Sequence, residues 1–112
     1  MVKQMDRKKT PYMAKPLADD ETREKDRLAP LYWVVMHNDP VTTMDFVVNI
    51  IMKVFSIDYN DAVDIMYNIH NDGLEYITLM PLERAEMKVE QVHLAARRLN
   101  YPLTCTIEPE QA

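Results

Sequence analysis

The stretch Leu31–Met44 reads LYWVVMHNDPVTTM, and the rest of the chain is organised around it. Its first six residues, LYWVVM, are apolar or aromatic and predict a strand. The strand should end by Asp39, because Pro40 has no N–H to donate to a sheet. His37 and Asn38 are then expected to gather with Asp39 at the carboxyl end of the strand. Polar loops held between rigid elements are common places for binding residues.

A helix is predicted directly after this loop, over MDFVVNIIMKVF, residues 44–55. Apolar residues recur in it at helical spacing, which indicates that much of the helix is buried. Thr42 precedes it and Asp45 follows three residues later, a variant of the capping box in which Asp replaces Glu. Ser56 is expected to end this helix.

A second helix is predicted to begin at Asp58, and its apolar stripe runs to His70. Gly73, the one glycine of the chain, follows at the point where helices commonly end in a left-handed conformation. Residues 74–80, LEYITLM, include β-branched and aromatic residues and predict a short strand. Pro81 stops this strand and is expected to be the first residue of a third helix.

The third helix and a last strand complete the chain. The helix LERAEMKVEQVHLAARRL is amphipathic, ends near Asn100, and is expected to bury Ala85, Val89, Val92, Ala96 and Leu99. Apolar and polar residues then alternate in LTCTIE, residues 103–108, which predicts a strand with one face in the core. The order β-α-α-β-α-β lacks the regular alternation of parallel folds. We therefore expect an α+β fold, a small three-stranded antiparallel sheet with three helices on one face.

Composition favours one small domain that carries a charged arm. The chain has 112 residues, of which 47% are hydrophobic, enough for a core. Segment 1–29 lacks apolar periodicity and predicts a flexible charged arm, 30–109 the folded core, and 110–112 a short tail. The single cysteine, Cys105, excludes an intramolecular disulfide. With no long apolar run and a charged amino terminus, we expect no membrane partner and a cytoplasmic location.

The charge of the predicted core is strongly negative. Residues 29–112 carry twelve acidic and five basic side chains, a net charge of −7. Because phosphate contacts need clustered cations, we expect no nucleic-acid partner, and a cationic partner suits this domain better. The nine methionines either fill an irregular core or line a binding surface that adapts to ligand shape.

The residues give little support for an enzyme. Common zinc-site spacings such as HExxH are missing, and His93 lies mid-helix among apolar residues, where a structural role is expected. Ser56 is far in sequence from any histidine. Cys105 alternates with Leu103 and Ile107, as a buried strand residue would. We therefore expect no metal and no cofactor.

Asn38, Asp39 and His70 are the candidates for binding. Asn-Asp-Pro is also ordinary turn chemistry, so two interpretations stay open at this point: plain turn residues, or an acidic binding site lined with methionine. A hypothesis from another class is a metal-dependent or acid–base enzyme that uses His37, Asp39 and His70.

Four segments of the chain resemble one known family. They are HNDPVTTMDFVV at 37–48, AVDIMYNIHNDG at 62–73, AEMK at 85–88 and YPLTCTIE at 101–108. In this order and without large gaps they resemble ClpS, the bacterial adaptor of the N-degron pathway. The resemblance extends over about residues 31–109.

The resemblance implies an adaptor that is not itself a protease. Such a protein captures substrates by a free α-amino group and a bulky hydrophobic first residue (Leu, Phe, Tyr or Trp), and delivers them to a Clp-type AAA+ unfoldase. By position, Asn38, Asp39 and His70 match the residues that hold the amino group, His70 partly through water. The positions that match the hydrophobic pocket or its flanks are Pro40, Val41, Thr42, Met44, Met66, Ile69 and Leu103, and those that match the unfoldase-facing surface are Glu83 and Lys88.

The chain departs from the family pattern at two places. The family often has a second Asp, then Tyr, Thr and Pro, where this chain has Pro40, Val41, Thr42 and Thr43. Pro40 thereby removes one carboxylate and one backbone donor near the amine site. Pro81 stands in place of the usual Thr cap of the third helix. We expect a monomer, and the alternative to substrate capture is a scaffold that regulates the unfoldase without using its pocket.

Overall fold

The computed structural model describes residues 29–111. The elements of this region are β1 (Leu31–His37), α1 (Met44–Phe55), α2 (Tyr59–Asp72), β2 (Leu74–Pro81), α3 (Leu82–Arg98) and β3 (Thr104–Pro109). β1 is the middle strand and pairs antiparallel with β2 on one side and β3 on the other. The predicted α+β class, strand number and element order are confirmed. All of the predicted arm except Ala29 lies outside the described residues.

The main core lies between the sheet and the helices. Val34 and Met36 of β1 are fully buried in it. α3 packs on all three strands, α2 packs on β2, and α1 packs on the other two helices. Side chains such as Ile51 and Ile65 lose all their exposure, and full burial of one such side chain contributes about 1.5–3 kcal/mol. This packing fixes the three helices, and hence the loops between them, relative to β1.

The opposite face of the sheet carries a second, smaller cluster. Trp33 and Val35 of β1 are buried there with Leu79 of β2. Tyr76 packs edge-on against Trp33, with ring centroids 5.4 Å apart, and donates its hydroxyl hydrogen to Glu108 at 2.7 Å. Tyr76 and Leu79 share this face although they are three residues apart, because the β1–β2 register shifts by one residue between Val34 and Val35.

The helix ends near the loops follow the sequence with two corrections of one residue each. α1 is capped by Thr43, whose hydroxyl accepts from the N–H of Phe46, so the predicted cap at Thr42 is wrong by one residue. α2 begins at Tyr59, one residue after its predicted start, because Asp58 serves as its cap, and Gly73 ends it with φ +93° as predicted. Thr42 could not serve as the cap because its hydroxyl bonds elsewhere, as described below.

Two predictions at the ends of α3 are also corrected. Pro81 still pairs with Leu31 in the sheet and stands just before the helix, so it is not the first helical residue. Leu99 is 57% exposed, because the helix ends at Arg98 and helical spacing no longer sets the direction of the next side chain. Asn100 then adopts φ +61°, which turns the chain toward β3. Within residues 29–111, no helix is both long and apolar enough to cross a membrane.

Candidate functional site

The loop after β1 is fastened to the end of α2. The backbone N–H of Asn38 donates to the carbonyl oxygen of Gly73 at 2.9 Å. Gly73 closes α2 by donating its own N–H to the carbonyl of Ile69, also at 2.9 Å. His70 belongs to this last turn. The two elements that carry Asn38 and His70, far apart in sequence, are therefore held side by side.

A cavity of about 420 Å³ opens between this loop and the helices α1 and α2. It brings together Asn38, Asp39 and His70, the three residues expected to hold an amino group. Its remaining walls are Pro40, Val41, Thr42, Thr43, Met44, Val47, Met66 and Ile69. Sequence reasoning did not select Thr43 or Val47. Val47 lies one helical turn after Met44 on the same face of α1, so helical periodicity could have identified it.

Asp39 organises the loop that forms the rim of this cavity. Its Oδ1 accepts hydrogen bonds from the backbone N–H groups of Val41 and Thr42, both at 2.8 Å. Its Oδ2 accepts from the hydroxyl of Thr42 at 2.6 Å. A carboxylate has about four lone-pair positions, so three are used within the loop and one is left. Asp39 is therefore both the internal support of the turn and a negative charge at the cavity.

The surroundings of Asp39 favour its ionised form. Partial burial alone would raise the pKa of this carboxyl. The hydrogen bonds from Thr42 and Val41, helped by the positive charge of Arg97, outweigh burial and lower the pKa below its ordinary value of 3.8. Asp39 is consequently negative throughout the neutral range and attracts a cationic group.

The apolar side chains of the cavity differ in their exposure to solvent. Met66 and Ile69 of α2 and Val47 of α1 are buried at 6%, 2% and 7% exposure and form a fixed inner wall. Met44 and Val41 are 41% and 57% exposed and stand at the opening. Such a site suits a ligand with a cationic head and a hydrophobic side chain, the first held near Asp39 and the second against α2.

Three of the predicted site residues lie away from this cavity. Leu103 is 1% exposed within the main core and does not line the cavity. Glu83 and Lys88 lie on α3, Glu83 exposed and Lys88 half-buried. Burial lowers the pKa of Lys88, and the neighbouring positive charge of Arg84 lowers it further.

The groups considered for catalysis are separated by the fold. His37 ends β1 and its Nε2 lies 2.7 Å from the hydroxyl of Thr106, and it does not line the cavity that holds Asp39 and His70. His93 accepts the backbone N–H of Cys105 at its Nε2, at 3.0 Å, which is the structural role expected for it. In the described part of the chain, no three His, Cys, Asp or Glu side chains are grouped closely enough to hold a metal ion.

Comparison with known sequences identifies relatives over most of the chain. The sequence model of the family described as "ATP-dependent Clp protease adaptor protein ClpS" matches residues 27–106. The ATP-dependent Clp protease adapter protein ClpS of Lawsonia intracellularis is 41% identical over 86 residues, which cover 77% of this chain and 79% of the relative. That of Nitratidesulfovibrio vulgaris strain Miyazaki F is 42% identical over 92 residues, 82% of this chain and 88% of the relative.

Comparison with solved structures gives a matching fold. ClpS2 of Agrobacterium tumefaciens, solved bound to L-phenylalaninamide, superposes with a TM-score of 0.70 at 26% sequence identity. The match covers 71% of this chain and 96% of that protein.

Proposed function

The chain belongs to the ClpS family of ATP-dependent Clp protease adaptors, and on this basis we propose which ligand it captures. It binds proteins whose first residue is bulky and hydrophobic (Leu, Phe, Tyr or Trp) and carries a free α-amino group. It then delivers them to a Clp-type AAA+ unfoldase. In this role the protein is a binding module and performs no chemistry on the substrate. The observation that carries the proposal is one cavity with an ionised carboxylate at its rim and a buried apolar wall.

The amino group is held by the polar end of the cavity. An α-amino group has a reference pKa of about 7.7–8.0, so it is mostly a cation with three donors at neutral pH. Asp39 supplies the negative charge and its remaining lone pair, and the side-chain oxygen of Asn38 accepts a second hydrogen bond. His70 approaches from α2 and completes the set, directly or through a water molecule.

The first side chain enters the apolar part of the cavity. Burying a Leu or Phe side chain against Met66 and Ile69 contributes about 1.5–3 kcal/mol, and each hydrogen bond to a charged group about as much. A micromolar dissociation constant corresponds to a net binding free energy of about −8 kcal/mol, after the costs of association are included. The free energy spent on ordering the site must therefore be small. The Asn38–Gly73 and Asp39–Thr42 hydrogen bonds reduce this cost, because they order the loop before a ligand binds.

Selectivity follows from the same contacts. Acetylation of the α-amino group removes its charge and two donors, and it leaves Asp39 without a cationic partner. A β-branched first residue such as Ile or Val is stiff at χ1 and collides with Met44 at the cavity opening. We therefore expect Leu and Phe to be preferred over Ile, and all acetylated peptides to bind weakly.

The surface for the unfoldase is assigned to α3. Glu83 in its first turn and Lys88 five residues later carry opposite charges on one helix, and Lys88 is partly buried. A charged pair of this kind fixes the orientation of a partner more than it adds affinity. Replacing both residues should weaken delivery to the unfoldase and leave peptide affinity unchanged.

Fluorescence anisotropy with short peptides tests the proposal directly. Peptides labelled at the carboxyl end begin with Leu, Phe, Ile or Lys, each with a free or an acetylated amine. Free-amine Leu and Phe peptides should bind at least about tenfold tighter than all others, a difference of about 1.4 kcal/mol. Asp39→Ala should weaken the Leu peptide by at least about tenfold. Equal affinity for every first residue would favour the scaffold alternative, and a stoichiometric tightly bound metal would favour the enzyme alternative.

A further inference from the structure

A second groove lies beside the first-residue cavity, between α1 and α2. Its volume is about 520 Å³. Met44 and Met66 line both the groove and the first-residue cavity, so the two spaces share a wall at these side chains. Met44 at this wall is 41% exposed and stands at the opening of the first-residue cavity. A chain that leaves the first cavity over Met44 therefore meets this groove next.

The register of an extended peptide determines which residue reaches the groove. Successive side chains of an extended chain point to opposite sides, so residues 1 and 3 share one side and residue 2 points away. Residues 1 and 3 are about 6.5–7 Å apart along the chain, a span suited to crossing one methionine side chain. With the first side chain in its cavity, the third is the one directed into the α1–α2 groove.

The lining of the groove combines an apolar majority with aromatic, amide and acidic groups. Tyr59 and Tyr67 of α2 stand at its edge with 60% and 50% exposure. Asp45 and Asn49, one turn apart on α1, add a carboxylate and an amide. In the described region, no Lys, Arg or His side chain lines this groove. An apolar and aromatic lining with one carboxylate favours a side chain that has an apolar stem and a cationic head.

We propose that the α1–α2 groove is a second substrate subsite that binds the third residue and prefers Lys or Arg there. The inference rests on the proposed capture of the first residue and extends it to substrate sequence. The stem of the basic side chain lies along the tyrosine rings, and its charge meets Asp45. An acidic third residue is disfavoured by the same carboxylate.

The test compares peptides that differ only at positions 2 and 3, all beginning with Leu and a free amine. The set is Leu-Ala-Ala, Leu-Ala-Lys, Leu-Ala-Glu and Leu-Lys-Ala, each followed by one common sequence. At low salt, Leu-Ala-Lys should bind about fivefold tighter than Leu-Ala-Ala, and Leu-Ala-Glu should bind more weakly. Leu-Lys-Ala, with its lysine directed away from the groove, should stay within about twofold of Leu-Ala-Ala.

Two variants separate the groove from the general negative charge of the domain. Asp45→Asn should reduce the preference for Leu-Ala-Lys to less than about twofold while leaving Leu-Ala-Ala affinity unchanged. Glu90→Gln, an exposed position on α3 outside the groove, makes the same change in net charge and should keep the full preference. An equal loss in both variants, or a lysine effect stronger at position 2, would overturn the subsite.

The outcome also distinguishes the two proposals from each other. If Leu-Ala-Ala binds tightly but position 3 has no effect, the subsite is overturned and the first-residue site stands. A matched peptide that begins with Gly-Ala-Ala serves as the control for the first residue. If the Leu-first peptides bind no better than this control, first-residue capture and the subsite are both overturned.

Discussion

The backbone N–H of Asn38 donates a 2.9 Å hydrogen bond to the carbonyl oxygen of Gly73, and this bond joins the end of β1 to the end of α2. The two residues are 35 positions apart in sequence. The bond satisfies the carbonyl of Gly73, the residue that caps α2, and it also orders Asn38 at the start of the loop after β1. Stability at the end of α2 and the geometry of the proposed amine site are therefore coupled.

The first prediction concerns Gly73 itself. Gly73→Ala should lower the free energy of unfolding by about 1–2 kcal/mol, because φ is +93° there and an L-residue is strained in that region. A steric clash is not the cause, since a Cβ added at this position has nothing within 4 Å. Gly73→Asn should cost less, because Asn tolerates left-handed conformations. Urea unfolding followed by circular dichroism measures both, and equal stability of Gly73→Ala and wild type would contradict the prediction.

The second prediction separates the support of the loop from the charge of Asp39. Thr42→Val removes the hydroxyl that donates to Asp39 at 2.6 Å and keeps the side-chain shape. Affinity for a Leu-first peptide should fall about fivefold, which corresponds to about 1 kcal/mol. Thr42→Ser retains the donor and should stay near wild type. In the Asp39→Ala background Thr42→Val should have little further effect, and a fully additive loss would show that the two residues act independently.

The sequence predicted elements better than the contacts between them. Gly73 and Asp58 were predictable because a positive φ and a helix cap each select a few residue types locally. The choice between Thr42 and Thr43 as the cap of α1 was not predictable, because Thr is a good cap at either position. Thr42 is excluded by the hydrogen bond that its hydroxyl donates to Asp39.

Other features depended on packing that no local pattern encodes. The extra residue of β2 at the Val34/Val35 register shift was not predictable, because apolar and polar residues alternate too poorly in LEYITLM to locate a bulge. The position of Leu103 in the core, away from the cavity wall, is another such feature. The candidate site residues Asn38, Asp39 and His70 were available from the sequence mainly by resemblance, since turn chemistry alone explains the first two equally well.

The third prediction is the pH dependence of peptide binding. Because the pKa of Asp39 is lowered below 3.8, this carboxylate is ionised well into acid, and its attraction for a cation is lost only as pH falls through that lowered pKa. On the alkaline side the peptide amine titrates near its reference pKa of about 7.7–8.0. The dissociation constant of a Leu-first peptide should therefore rise above about pH 8, approaching tenfold per pH unit. Anisotropy titrations between pH 7 and 9.5 measure this, and a flat affinity would argue against amine capture.

The fourth prediction is a pH-dependent contribution of His93 to stability. Burial and the positive charge of Arg97 lower the pKa of His93, so the folded protein favours the neutral ring that accepts the N–H of Cys105. The unfolded chain binds a proton more readily, with an ordinary pKa of 6.5. Stability from this contact is thus present above pH 6.5 and is lost as pH falls through the lower folded value. His93→Gln should flatten this part of the unfolding profile between pH 7 and 5, and an unchanged slope would contradict the assignment.

The last prediction concerns Arg97, which connects the end of α3 to the chain leading into β3. Its Nη1 donates to the carbonyl oxygens of Tyr101 and Leu103 at 2.7 and 3.0 Å. Arg97→Ala leaves both carbonyls without this donor and should cost about 1–2 kcal/mol of unfolding free energy.

Because the charge of Arg97 also helps lower the pKa of Asp39, the variant should raise the carboxyl pKa measured by NMR. Arg97→Lys keeps the charge without the planar fork, so it should preserve the pKa of Asp39 while recovering only part of the stability. If Arg97→Ala and Arg97→Lys had the same unfolding free energy and the same pKa of Asp39, the separate roles of charge and geometry at this position would be contradicted.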